Sequence, residues 1–124
     1  MLIKCILVTF GGGIGALSRY GVTLFANRIF GAGFPVGTLC VNLTGCFLIG
    51  LSFSLTEQKL MSPNLRLFFV TGFLGGLTTF STYAVESVLA MRDGMTGTAL
   101  VNLATNNLAG LALVIVGLWL GRLI

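Results

Sequence analysis

The chain has 124 residues, 56% of them hydrophobic and 8% charged, with a mean hydropathy of +1.03. That balance belongs to an integral membrane protein, and at about 20 apolar residues per crossing the length holds four spans and no hidden soluble domain. Seven basic and three acidic residues give a formal charge of +4, which suits anionic lipid headgroups, and the basic residues are too scattered to make a nucleic-acid face. There is no histidine, no nucleophile paired with a base and no phosphate-binding loop in a wet setting, so the chain does not read as an enzyme. Cys5, Cys40 and Cys46 fall within apolar segments at no metal-ligand spacing and read as small core residues.

The first span is expected over about 4–30. It runs past the length of a signal sequence and has no convincing small-residue cleavage site, so it reads as a mature span. Gly11 and Gly15 form a small-xxx-small face on which another helix can pack closely. Arg19 lies within the hydrophobic run and must snorkel, pair or face water, which leaves a wet vestibule and a headgroup anchor beside Tyr20 both open.

After the turn Gly31–Pro35, a second span is expected over about 36–55. Thr38 and Asn42 lie one turn apart on one face. An asparagine amide offers two donors and an acceptor, so this face serves either interhelical bonding or a pore.

The third span, over about 65–91, carries Gly75-Gly76-Leu77-Thr78-Thr79 in its middle. Glycine costs about 1 kcal/mol relative to alanine in a helix and threonine loses side-chain freedom, so this stretch reads as a break. Backbone opened at membrane depth survives only where it is buried in protein or faces a water-filled or ion-occupied site. The break therefore reads as an ion site, with the hydroxyls of Thr78, Thr79, Ser81 and Thr82 beside it. For Thr79, bonding to its own helix backbone is the other reading. Phe80 and Tyr83 follow three residues apart on one side of the resumed helix. Glu86, the one acid well away from a loop, comes next, close enough to Arg92-Asp93 to lie near the interface.

The fourth span is expected over about 96–123. Thr98, Asn102 and Asn106 recur at four-residue steps with Asn107 alongside, a polar stripe on the first half; Leu111–Leu120 reads as plain lipid-facing hydrocarbon.

Four spans place Lys4, Lys59, Arg66 and Arg122 on one side and Arg19, Arg28 and Arg92 on the other. Orientation normally follows a clear lysine and arginine excess, and here there is almost none, which permits insertion both ways. The matching oligomer is an antiparallel homodimer in which the two helix breaks meet near the midplane.

Gly11–Tyr20, Gly37–Gly45 and above all Thr71–Thr82, in this order and within a four-span chain, resemble the Fluc fluoride channels, also called the CrcB-like family, along essentially the whole length. The resemblance implies an all-α membrane fold with four transmembrane helices, the third broken, assembled as an antiparallel dual-topology homodimer in the bacterial inner membrane. It implies two pores that export fluoride passively, and a structural sodium ion at the dimer centre held by the main-chain carbonyls of Gly75 and Thr78. Phe80 matches the first of two pore-lining phenylalanines of the third helix, and Tyr83 stands at the second. Asn42 matches a pore-side asparagine, Arg19 a vestibular arginine and Asn107 a polar lining position, while hydroxyls of relatives fall here on Leu103 and Leu111.

Fluoride is small and strongly hydrated, so a pore must replace its water with several donors that do not hold it too tightly. Asn42, Asn107, Ser81, Thr82 and the positive ring edges of Phe80 and Tyr83 are donors of that kind. The competing reading is a small dual-topology proton-coupled multidrug exporter, which needs a carboxylate in the first helix, where this chain has none. A non-transporting membrane subunit is the third reading; helix packing alone gains nothing from opening backbone at mid-membrane.

Overall fold

The computed structural model describes all 124 residues, and the chain is entirely helical. We label the helices α1 (Leu2–Phe30), α2 (Val36–Glu57), α3 (63–77), α4 (Phe80–Arg92) and α5 (Thr96–Gly121). Helices α3 and α4 share one crossing, Pro63–Arg92, so four segments are long and apolar enough to span a membrane, within two residues of the expected bounds. Leu17, Leu108 and Trp119 are among many large apolar side chains left exposed, the expected outer surface of a protein whose solvent is hydrocarbon.

Each crossing stops where local chemistry says it should. Gly31 takes a positive φ of 72° after α1. Helix α2 ends in a Schellman turn, with Leu60 N–H donating to the Leu55 carbonyl at 2.9 Å and Lys59 in the left-handed conformation usually left to glycine. Ser62 caps α3 by accepting from Leu65 N–H at 3.3 Å, and Pro63 starts the helix without a wasted donor. Between α4 and α5, Gly94 at φ 79° allows Met95 N–H to reach the Ala90 carbonyl at 2.8 Å.

Two close helix pairs build the bundle. Helix α1 lies against α3 through Gly11, Gly15, Gly72 and Gly76: a Cβ on Gly11 would strike the Phe68 carbonyl, one on Gly15 the Phe73 carbonyl, and one on Gly76 the Gly12 carbonyl. The Gly11…Gly15 face is therefore a packing face, as its spacing suggests. Helix α2 lies equally close to α5, where Gly50 abuts the Val114 carbonyl and Gly117 the Phe47 carbonyl. The second half of α5 thus faces lipid along one side, with Leu111, Ile115, Val116 and Trp119 exposed; its other side carries glycines that let α2 approach. Between the pairs sits a small apolar core of Val41, Leu74 and Leu77, flanked by Phe69, Phe73, Leu48 and Ile49. Cys5 and Cys40 lie on the outer surface and Cys46 is half-buried, so the thiols are not core residues as a group: their helices turn two of them outward.

The two chain ends and the 58–62 loop meet at one end of the bundle. Gln58 Nε2 donates to the Gly121 carbonyl at 2.6 Å, and Lys4 and Arg66 border a cleft with Met61, the Arg66 guanidinium lying 5.4 Å from the centre of the Phe53 ring. This agrees with grouping Lys4, Lys59, Arg66 and Arg122 on one side.

Candidate functional site

The break falls later than the glycine pair. Gly75, Gly76 and Leu77 remain helical, and only Thr78 (φ −80°, ψ 154°) and Thr79 (φ −149°, ψ 113°) are extended. The glycines serve other ends: Gly76 admits α1, whereas a side chain on Gly75 would meet nothing of this chain. The opening is carried by the two β-branched threonines, whose side chains fit extended backbone better than helix.

Asn42 of α2 holds that opening. Its Oδ1 accepts from Thr79 N–H at 2.8 Å and its Nδ2 donates to the Thr79 carbonyl at 3.2 Å, so one side chain pairs both polar groups of an extended residue. The second Nδ2 hydrogen goes to Asn106 Oδ1 at 2.9 Å. The resumed helix is capped by Thr79 itself, whose Oγ1 accepts from Thr82 N–H at 3.2 Å and donates to Thr82 Oγ1 at 3.0 Å. Two carbonyls lose their helical donors as a result. Thr79 N–H, which would continue the helix to Gly75, is taken by Asn42, and Thr82 N–H, which would reach Thr78, is taken by Thr79 Oγ1.

A polar relay runs on from Asn42. Asn106 Nδ2 donates to both the backbone carbonyl and Oδ1 of Asn102, at 3.0 and 2.9 Å; Asn102 Nδ2 donates to Ser87 Oγ at 3.0 Å, and Ser87 to the Tyr83 carbonyl at 2.9 Å. Asn102 is only 1% exposed, and these bonds join α2, α4 and α5. Thr38 donates to Glu86 Oε1 at 2.8 Å, while Glu86 Oε2 is buried without a partner. Glu86 is therefore tied to α2 rather than to Arg92, which pairs with Asp93.

Beside the break lies a cavity of about 360 Å³, lined by Asn42, Thr78, Thr79, Phe80, Tyr83, Asn106 and Asn107 together with Gly75, Cys46 and the apolar side chains of Ile49, Val70 and Leu74. Phe80 is 78% exposed and Tyr83 only 6%, and their rings meet edge to face with centres 5.5 Å apart. The Tyr83 hydroxyl accepts from Asn107 Nδ2 at 2.8 Å, and the same amide donates to the Leu103 carbonyl at 2.8 Å.

Seven of the ten sequence-derived site residues border this one cavity: Asn42, Gly75, Thr78, Thr79, Phe80, Tyr83 and Asn107. Ser81 and Thr82 lie outside its lining and interact with the Thr79 hydroxyl. Arg19 lies elsewhere, half-buried on α1 and one turn past Gly15, which abuts Leu77 at the break; no carboxylate stands within ion-pair distance of it. Asn106 was visible as part of the polar stripe but not as a lining residue, since its four-residue spacing from Asn102 and adjacency to Asn107 do not say which amide faces Asn42. Short π-helical stretches, Leu67–Leu74 and Thr105–Ala109, rotate the helix faces on both sides of the cavity. Such bulges recur at functional sites, and no residue pattern announces them.

The model of the CrcB-like protein (Camphor Resistance) family matches residues 6–118. A protein of Salinibacter ruber named fluoride-specific ion channel FluC is 44% identical over 116 residues, covering 94% of this chain and 87% of its own. Proteins of the same name from Maridesulfovibrio salexigens and a Hydrogenobaculum species are 40% and 45% identical, covering 98% and 94% of this chain and 97% and 96% of theirs. With a match of this length and relatives at this identity, the chain belongs to the CrcB-like family.

Proposed function

We propose that this protein is a fluoride channel of a bacterial membrane, releasing cytoplasmic fluoride passively down its electrochemical gradient. The observation that carries the reading is a polar and aromatic cavity at a mid-span helix break, in a chain 40–45% identical to proteins named fluoride-specific ion channels. An anion crossing apolar surroundings must exchange its hydration for weak donors supplied one after another. Phe80 and Tyr83 offer ring edges, Asn107 and Thr79, whose own hydrogens are used within the protein, hold the lining in place, and Ile49, Val70 and Leu74 give the cavity an apolar wall.

The working unit is an antiparallel homodimer in the inner membrane, with Ser81, Thr82 and Arg19 completing the path outside the cavity of one subunit. The nearly even split of basic residues supports it, as does the exposure of Phe80, which a second subunit would cover. A sodium ion at the subunit junction fits the donor set. The Gly75 and Thr78 carbonyls are hard oxygen ligands relieved of their helical N–H partners, and Gly75 meets nothing of its own chain. Such an ion adds fixed positive charge near the path without a side chain crossing it.

Passive efflux from liposomes tests the reading: purified protein, potassium ionophore to shunt charge, and electrodes for fluoride and chloride. Rapid fluoride release without chloride release is the expected result. Release of neither ion, from protein shown to be dimeric and supplied with sodium, overturns it.

A further inference from the structure

The donors that line the cavity are not equally free. Both Nδ2 hydrogens of Asn42 are committed, to the Thr79 carbonyl and to Asn106; both of Asn106 go to Asn102, and both of Asn107 go to Tyr83 and Leu103. The Thr78 hydroxyl donates to the Leu74 carbonyl at 3.0 Å, and the Thr79 hydroxyl to Thr82. These amide orientations are fixed by groups that act in one way only. The Leu103 carbonyl can only accept, so the Asn107 atom facing it is nitrogen, and that nitrogen also faces the Tyr83 oxygen.

The Tyr83 oxygen is therefore the acceptor of its bond with Asn107, and its own proton is directed elsewhere. No protein acceptor takes it, although Tyr83 is 6% exposed and borders the cavity. Apart from the weakly donating Cys46 thiol, the phenol proton is the uncommitted side-chain donor of the lining.

We propose that the Tyr83 phenol proton, aimed by Asn107, is the side-chain donor that meets fluoride in this cavity. This rests on the fluoride reading above. A hydroxyl donating to an anion makes a bond roughly twice as strong as a neutral pair. Asn107, by donating to the phenol oxygen, polarises the O–H and strengthens its donation. Phe80 fixes the ring from the other side by its edge-to-face contact. A neutral hydroxyl adds one donor to the several, ring edges among them, that together replace the ion's water, and it holds the ion loosely enough to release it, where an ammonium would trap it. Asn107 is a positioning residue here: its amide hydrogens are used in holding the phenol.

The test uses the full chain in liposomes with sodium present, and reads initial fluoride efflux against internal fluoride concentration, alongside thermal unfolding in detergent. Tyr83→Phe keeps the ring and removes the donor; the fluoride concentration giving half-maximal efflux should rise at least threefold. Asn107→Leu keeps the donor but frees it to rotate, and the same concentration should rise by a smaller factor. If both variants lose thermal stability while the half-maximal concentration stays at the wild-type value, the pair only braces the helices and the proposal is overturned. Should Tyr83→Phe fail to fold, an unchanged concentration for Asn107→Leu overturns it equally. Absence of fluoride efflux from the wild type overturns the channel reading itself, and this inference with it.

Discussion

Asn42 and Thr79 are joined by two hydrogen bonds, the side-chain oxygen taking the Thr79 N–H and the side-chain nitrogen meeting the Thr79 carbonyl. The asparagine thus does for one extended residue what the next turn of helix would otherwise do, and it draws the donor away from Gly75 in doing so. Its amide hydrogens are consumed by this clamp and by Asn106, so Asn42 shapes the site rather than offering a free donor to it.

Asn42→Ala leaves the Thr79 N–H and carbonyl without partners and frees Asn106 Oδ1. An unsatisfied buried polar group costs about 1–3 kcal/mol. The variant should unfold several degrees below wild type in detergent, and its fluoride efflux should fall by at least tenfold because the break loses its shape. Wild-type stability together with wild-type efflux would show that the clamp does not hold the break.

Gly75 and Gly76 separate two roles that the sequence merges. A methyl group on Gly76 collides with the Gly12 carbonyl, a backbone atom that cannot step aside, so Gly76→Ala should prevent α1 from seating on α3. Overpacking of this kind costs about 1–3 kcal/mol or more. Gly75→Ala meets nothing within the chain and should leave the protomer folded, its effect confined to subunit association or sodium response. Gel filtration and thermal unfolding of the two variants read the difference; equal loss of folded protein would contradict this division.

Much of this was legible in the sequence. Hydropathy set the four crossings, and the Gly11…Gly15 spacing marked a close-packed face because only small side chains let backbones approach. The Gly-Gly-Leu-Thr-Thr run located the break, though glycine's poor helix propensity pointed two residues too early: Gly76 is helical because α1 packs on it, and tertiary contact overrides an intrinsic cost of about 1 kcal/mol. What stayed hidden depends on rotation about helix axes. The bond between Thr38 and Glu86, the placing of Asn106 rather than Asn107 against Asn42, and the bond from Asn107 to the Tyr83 hydroxyl are set by interhelical geometry and by π-helical stretches. Periodicity at 3.6 residues assigns a residue to a face only while the helix is regular.

Thr38 and Glu86 make a second link between α2 and α4. One carboxyl oxygen of Glu86 accepts from Thr38 and the other is buried without a partner. Thr38→Val keeps the shape and removes the donor, leaving both oxygens unpaired, so thermal unfolding should show a loss of about 1–3 kcal/mol. Thr38→Ser, which restores the hydroxyl, should recover most of it. Equal stability of the valine and serine variants would mean the bond contributes nothing.

Sodium should be visible as stability before it is visible as transport. A ligand that binds only the folded dimer adds about 2.7 kcal/mol at a hundred times its dissociation constant. Replacing sodium with a large organic cation at constant ionic strength should lower the unfolding temperature and shift the dimer toward monomer, and returning sodium should reverse both. Potassium should substitute poorly, since two carbonyls per subunit, fixed by the Asn42 and Thr79 hydrogen bonds, cannot move apart freely for a larger ion. An unfolding temperature that does not respond to sodium would remove the ion from the proposed assembly and leave the freed carbonyls to be satisfied by water or by the partner's backbone.

Phe80 gives the cleanest separation of transport from folding. Its ring is 78% exposed on the protomer and touches Tyr83 at its edge, so little of the subunit's own packing depends on it. Phe80→Ile keeps an apolar side chain of similar bulk but removes the ring edge whose positive hydrogens would meet an anion on the proposed path. The protomer's secondary structure and the dimer should survive, with unfolding temperature close to wild type, while fluoride efflux from liposomes falls by at least tenfold. Full efflux from the isoleucine variant would take Phe80 off the conduction path and leave the cavity lining of Tyr83 and Asn107 to carry the ion without it.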